Sequence, residues 1–470
     1  MRREGIQNIT TVRRLSGKAL CSRRALLAQV AALATVLTAG ACRSAAQPVA
    51  EPAARNACRG TIEFVSPWNV GTPTGDGLVL AGQDFAAVHP GCRAELVYWS
   101  GDNTAILEKL AITIAAGNQP TVTLVPAQQT PLWISMGVLQ PLDTWAGRDK
   151  VSKELFFEGY WPQMVIGGKL WRLPFQIDVN FPWFWNKASF RSAGLDTERG
   201  PLTIAQLDEL AMKLTRGAPG AHEQLGFVPW QLYGETNSLQ SWAYAFGGDF
   251  YDPATDRVIA NHPKTVEALA WMVEWAKRLG GYDAVQAELQ AMGGWDTGLA
   301  TGRIAMGVWT SQGLPGARQK NPQAEFGAGL FPGGPEVRPG EATWLSGRGI
   351  GMVTSIKDPE PAWMFIKWVS ATPEGTLALV NRILATPGLK TSPGLAVLEG
   401  NAETRPFVEA LRVAKHSPPG AVIPINIWGG NRSVLVREVL QQQRGAREAL
   451  DEITRSAQVE FEAERALQRR

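Results

Sequence analysis

Residues 167–187 read GGKLWRLPFQIDVNFPWFWNK, in which Trp171, Trp183, Trp185 and three phenylalanines surround one acid, Asp178. A carboxylate accepts two hydroxyl donors, and charge-assisted hydrogen bonds are stronger than neutral ones. An indole offers a wide apolar face and one N–H donor. Such groups suit a guest with hydroxyls on its rim and C–H bonds on its faces, which describes a sugar. The chain holds 18 tryptophans, so the reading extends beyond this stretch. Trp68, Trp230, Trp309, Trp344 and Trp428 follow strand-like runs or sit in Gly/Pro loops, where binding side chains concentrate. These five are expected at the ligand, with Asp102, Gln128, Asp178, Asp249 and Arg348 as polar arms. Each has a structural alternative: a hinge or capping acid for Asp178, a turn acid for Asp249, a surface cation for Arg348. Trp171 and Trp185 are expected in the core, and Trp271, Trp275, Trp363 and Trp368, at helical spacing, are expected to pack.

Catalytic chemistry finds little support. A glycosidase needs two carboxylates with opposed roles, and no local signature marks such a pair. His89, His222, His262 and His416 are isolated, and no HExxH, GxSxG or phosphate-binding glycine loop occurs. No enzyme activity, cofactor or metal is expected.

The elements that must position these residues begin after an export signal. Seven basic residues and one acid precede an apolar run from Ala25 to Ala41. Basic, apolar and small-residue regions in that order define a secretory leader, and the run is short for a spanning helix. Ser22-Arg23-Arg24-Ala25-Leu26-Leu27 resembles the twin-arginine motif, and Thr38-Ala39-Gly40-Ala41-Cys42 resembles a lipobox with Ala39 in place of Leu. Acylation of Cys42 would hang the protein from the cell membrane on its outer face, with residues 42–58 as a tether. Of 46 basic and 43 acidic residues, removal of 1–41 leaves 39 and 42, so nothing favours nucleic acid. Cys58 and Cys92 each precede a predicted strand, 61–68 and 94–100. As parallel neighbours these strands would bring both thiols to one sheet end, within disulfide reach.

Residues 59–145 alternate strand and helix, which predicts a parallel sheet with ligands beyond its carboxyl ends. Those ends carry Trp68, Asp102 and Gln128. Thr203 with Gln206 predicts a capping box before an amphipathic helix, and one long helix is expected over 432–468. The fold class is α/β with two lobes: 59–170 plus 344–388 as the first, 171–343 plus 389–470 as the second.

Five stretches in this order resemble the extracellular solute-binding proteins of ABC importers, the maltose- and multiple-sugar-binding type. They are 167–195, PLTIAQLDELAMKLT (201–215), FGGDFYD (246–252), TGLATGRIAMGVWTS (297–311) and 346–375. Two departures are Thr121 in TVTLVP, where the family often has an acid after the proline, and Trp185, where it usually has Tyr. The resemblance implies a type II periplasmic-binding fold with a ligand cleft between hinged lobes. It also implies a carbohydrate ligand, an ABC permease as partner, and a monomer outside the cytoplasm. Polyamine, glycerophosphodiester and peptide ligands, or a secreted carbohydrate hydrolase, remain the alternatives.

Overall fold

The computed structural model describes residues 58–468 except 312 and 424. The leader, the twin-arginine motif, Cys42 and nearly all of the tether therefore lie outside the described residues. Among those described, no helix is long and apolar enough to cross a membrane.

The first strand β1 (Gly60–Ser66) leads to α1 (Pro73–Val88), β2 (Cys92–Tyr98), α2 (Asn103–Ala115), β3 (Val122–Pro126) and a short α3 (Thr130–Ser135). Thr72 caps α1 by accepting from the Gly75 amide, with Pro73 pre-set for the first turn. β1 pairs in parallel with β2, Gly60 opposite Cys92, and with β3 on its other side. Cys58 and Cys92 form a disulfide with their Cα atoms 5.4 Å apart. Past a segment with a short helix, 3₁₀ turns and a two-stranded hairpin, β4 (Leu173–Asn180) joins the same sheet through a later strand.

Three residues on, β5 (Trp183–Asn186) opens the second lobe. There follow α4 (Ile204–Leu214), α5 (Glu235–Phe246), α6 (Pro263–Arg278), β6 (Met306–Val308) and β7 (Phe326–Gly329). The capping box over α4 forms: Thr203 accepts from the Gln206 amide, and Gln206 reaches back to the Leu202 amide. β6 and β7 flank β5, both antiparallel to it.

The chain returns as β8 (Trp344–Met352), which lies between β3 and β4 and is antiparallel to both. The first sheet is thus mixed, not all parallel, in the order β2-β1-β3-β8-β4. Helices α7 (Pro359–Ala371) and α8 (Pro373–Ile383) cover it, with Phe365 packed on Phe64 and Phe85. The expected long C-terminal helix is two, α9 (Arg432–Leu440) and α10 (Ala446–Gln468). Gln442 between them takes a left-handed φ of 61°, which ends α9, and the amphipathic period alone did not carry that information.

Many of the tryptophans build the second lobe's interior. Trp242 meets Trp271 and Phe331 with centroids 4.8 Å apart in each case, and Trp183 at 6.0 Å. Trp275 and Trp271 both donate to the Asp208 carboxylate on α4. A three-stranded sheet offers a small apolar face, and large rings fill the space between it and its helices.

Candidate functional site

A cavity of about 600 Å³ opens where the carboxyl ends of the first-lobe strands face the C-terminal segment. One wall comes from Asn103 and Thr104 at the start of α2, Gln128 after β3, Asp178 on β4, and Ser346 and Arg348 on β8. The opposite wall comes from Ile425 and Asn426, and from Glu460 and Glu464 on α10.

The strand pairing explains the first wall. Ser346 stands opposite Asp178 and Arg348 opposite Gln176. Gly347 between them has φ 108°, and a Cβ there would lie 2.3 Å from the Gln176 carbonyl oxygen. Only glycine permits that approach, and the pairing register slips just after it, between Arg348 and Gly349. Arg348 projects into the cavity with its guanidinium carbon 5.3 Å from the Trp68 ring centroid, and its Nη1 donates to Asn103 Oδ1 at 3.0 Å. On the other strand, Gln176 Nε2 donates to Asp178 Oδ1 at 2.8 Å. Asn180, two residues along the same face, donates to Ser346 Oγ at 2.8 Å.

The electrostatics of the pair are those of charges taken partly out of water. Burial pushes the Asp178 carboxyl above its ordinary 3.8, opposed by the Gln176 hydrogen bond and the Arg348 charge. Burial likewise lowers the Arg348 guanidinium, and the Asp178 charge resists it. A carboxylate and a guanidinium on neighbouring strands, flanked by Asn, Gln and Ser side chains, present fixed acceptors and donors to a polyhydroxylated guest.

Of the predicted site residues, Gln128, Asp178 and Arg348 come together on this wall, and Trp68 lies behind Arg348. Asp102 does not line the cavity. It is the N-cap of α2, with Oδ1 accepting from the Thr104 and Ala105 amides, and so it positions Asn103 and Thr104, which do. Trp230, Trp309 and Trp344 are fully buried rather than displayed to a ligand. Trp230 packs on Tyr282, Trp309 is edge-on to Phe326 and donates to Asp296, and Trp344 is edge-on to Phe181 and donates to Ser241 Oγ. Each follows a strand or loop, but its indole turns inward because the second lobe needs the apolar volume. Asp249 is a turn acid whose Oδ1 accepts from the Phe250 amide. Trp428 is half-buried, edge-on to Phe250 at 5.3 Å.

Sequence reading missed Asn103, Ser346 and the acids of α10. Tyr233 does not line the cavity, but it keeps 43% of its surface exposed. Its ring stacks on Phe181 with centroids 5.4 Å apart, and its hydroxyl accepts from the Thr310 amide. Burial of that hydroxyl, with the Asp296 and Asp178 charges near, pushes its pKa up to about 12. Tyr233 holds a left-handed φ of 58°, a conformation uncommon outside glycine. The hint in the sequence was an aromatic next to Gly234 in a loop.

Two lobes joined by crossings after Asn180 and before Trp344, with a polar cavity at the strand ends, define a type II periplasmic-binding architecture. Residues 71–375 match the family of bacterial extracellular solute-binding proteins, and the chain belongs to that family. It is 22% identical over 353 residues to the maltotriose-binding protein of Pyrococcus abyssi (strain GE5 / Orsay), spanning 72% of this chain and 69% of that one. Its fold is similar to that of CpMnBP1 with mannotriose bound, with a TM-score of 0.70 at 24% identity over 84% of this chain and 99% of that one. It is similar also to UgpB from Mycobacterium tuberculosis in complex with glycerophosphocholine, with a TM-score of 0.69 at 19% identity over 86% and 99%.

Proposed function

We propose that this protein captures a carbohydrate, mono- or oligosaccharide, in the cavity between its lobes and delivers it to the membrane subunits of an ABC permease. The observation that carries this reading is that Asp178 and Arg348, on neighbouring strands, both line a polar cavity of about 600 Å³. That volume falls within the range of about 300–1,000 Å³ usual for small-molecule sites. The maltotriose- and mannotriose-binding relatives support the choice of ligand class. Asp178 accepts ligand hydroxyls, and Arg348, Asn103 and Gln128 hydrogen-bond others. Hinge closure at the crossings would bring the two walls onto the guest. Binding, not turnover, is the role: the cavity's carboxylates serve as acceptors. The leader and the Cys42 motif support export and a lipid anchor on the outer face of the membrane, with the protein acting as a monomer.

The test is a thermal-shift and calorimetric screen against mono- and oligosaccharides of defined linkage, with product analysis of each incubation. A saccharide that binds intact and raises the melting temperature is the expected result. Cleavage of the sugar, or no binding across the panel, overturns the reading.

A further inference from the structure

Gln163 is fully buried and lies outside the cavity's lining, yet its side chain joins two segments that reach the cavity. Nε2 donates both to the Leu345 carbonyl at 2.6 Å and to Ser417 Oγ at 3.0 Å. Leu345 precedes Ser346 on β8, the wall that carries Asp178 and Arg348. Ser417 begins the run to the other wall. Pro418 and Pro419 each have a fixed φ, a single helical turn spans Pro419–Val422, and Gly420, Ile425 and Asn426 then line the cavity. The Ala421 and Ile423 amides donate to the Pro418 and Pro419 carbonyls, which stiffens that run.

The surrounding groups hold Gln163 in place. Arg172, also fully buried, donates from Nε to the Gln163 carbonyl at 3.1 Å and from Nη1 to the Tyr160 hydroxyl at 2.9 Å. Its side chain lies against β8 at Gly349, where a Cβ would come within 2.6 Å of Arg172 Cδ. Ser417 Oγ donates in turn to the Gly159 carbonyl, and the Ser417 carbonyl accepts from the Tyr244 hydroxyl on α5. A backbone bond from the Leu345 amide to the His416 carbonyl, 2.9 Å long, runs beside the Gln163 bridge. That bond joins the two segments. The Gln163 amide, donating to both from one rigid plane, fixes their angle and spacing.

We propose that Gln163 is a positioning residue that sets the separation of the two cavity walls, and with it the length of carbohydrate the protein selects. The inference rests on the carbohydrate-capture reading above and deepens it. Gln163 acts through Ser346 and Arg348 on one side and through Ile425 and Asn426 on the other. Without the bridge, the Leu345 carbonyl and the Ser417 hydroxyl lose their shared donor and the walls part at their base. A short guest then reaches one wall only, while a longer one still spans both.

The test measures affinities by calorimetry on the full mature chain, for glucose, maltose and maltotriose and for mannose, mannobiose and mannotriose. Gln163→Met keeps the length of the side chain but has no donor. Its ratio of trisaccharide to disaccharide affinity is expected to rise about tenfold over wild type, the worth of one hydrogen bond lost by the shorter sugar. Ser417→Ala removes the bridge from its other end and is expected to move the ratio the same way. The double variant is expected to move it no further than Q163M alone, since both changes break one link. A merely structural role would lower the melting temperature and weaken every sugar by the same factor. Equal weakening across lengths, an unchanged ratio, or additive effects in the double variant overturns the proposal while leaving carbohydrate capture standing. If Q163M does not fold, the ratio in S417A decides alone. Failure of the wild type to bind any of these sugars overturns both.

Discussion

Replacing Asp178 by Asn separates two roles that a carboxylate in this position could play. Asn keeps the size and one carbonyl oxygen, so the hydrogen bond from Gln176 survives. It removes the charge whose burial raises the Asp178 pKa. Two effects on the free protein oppose each other: an unfavourably buried carboxylate is gone, and the buried Arg348 guanidinium loses the charge that opposes its own desolvation, so the melting temperature is expected to stay near that of wild type. Ligand binding moves the other way. Loss of charge-assisted acceptance from sugar hydroxyls costs about 1.5–3 kcal/mol, or roughly 10- to 150-fold in affinity. At a ligand concentration a hundredfold above Kd, binding stabilises the wild type by about 2.7 kcal/mol. A 30-fold weaker variant at the same concentration gains only about 0.9 kcal/mol. With an unfolding entropy of about 2.1 cal/mol/K per residue over a chain of this size, the melting shift falls from about 3 °C to about 1 °C. Differential scanning calorimetry on the two proteins, with and without the saccharide found in the screen, reads both quantities. An unchanged ligand shift removes Asp178 from the site. A lower melting temperature of the free variant makes Asp178 a structural acid instead.

Three further outcomes follow from the same geometry. The raised pKa of Asp178 means its contribution to stability is full below 3.8 and lost as pH rises through the folded-state value. Ligand affinity has the opposite sign, full above that value and falling on acidification. Isothermal titration across pH 4–7 is expected to show the fall beginning above the ordinary carboxylate range, and a flat profile refutes it. Gly347→Ala forces a Cβ to within 2.3 Å of the Gln176 carbonyl oxygen at φ 108°. Strain of about 1–2 kcal/mol from the backbone and about 1–3 from the overlap lowers stability by about 2–5 kcal/mol in urea unfolding, with binding lost as β8 shifts from β4. A wild-type unfolding midpoint would refute the register. The Cys58–Cys92 bridge spans 34 positions, so a double Ser variant is expected to lose up to about 3.8 kcal/mol. Equal midpoints for the oxidised wild type and the variant would show that the bridge does not constrain the unfolded chain.

What the sequence determined by itself was local. Period and cap marked α4, because an amphipathic face and a capping side chain are decided within a turn or two; the Asp102 cap of α2 was read instead as a ligand arm. Alternation of strands and helices, and the small polar residues after β3, marked the sheet end at which Gln128 lies in the cavity. The abundance of tryptophan signalled aromatic packing but not its direction. Whether Trp230, Trp309 or Trp344 faces ligand or core depends on which neighbours fill the space behind it, and those come from segments distant along the chain. The partnership of Asp178 with Arg348 needed β8 to insert antiparallel between β3 and β4, a pairing across 170 positions that no local pattern encodes. The second wall required α10 to fold back against the first lobe's strand ends, so Glu460 and Glu464, unremarkable on a charged terminal helix, became part of the cavity only in the tertiary structure.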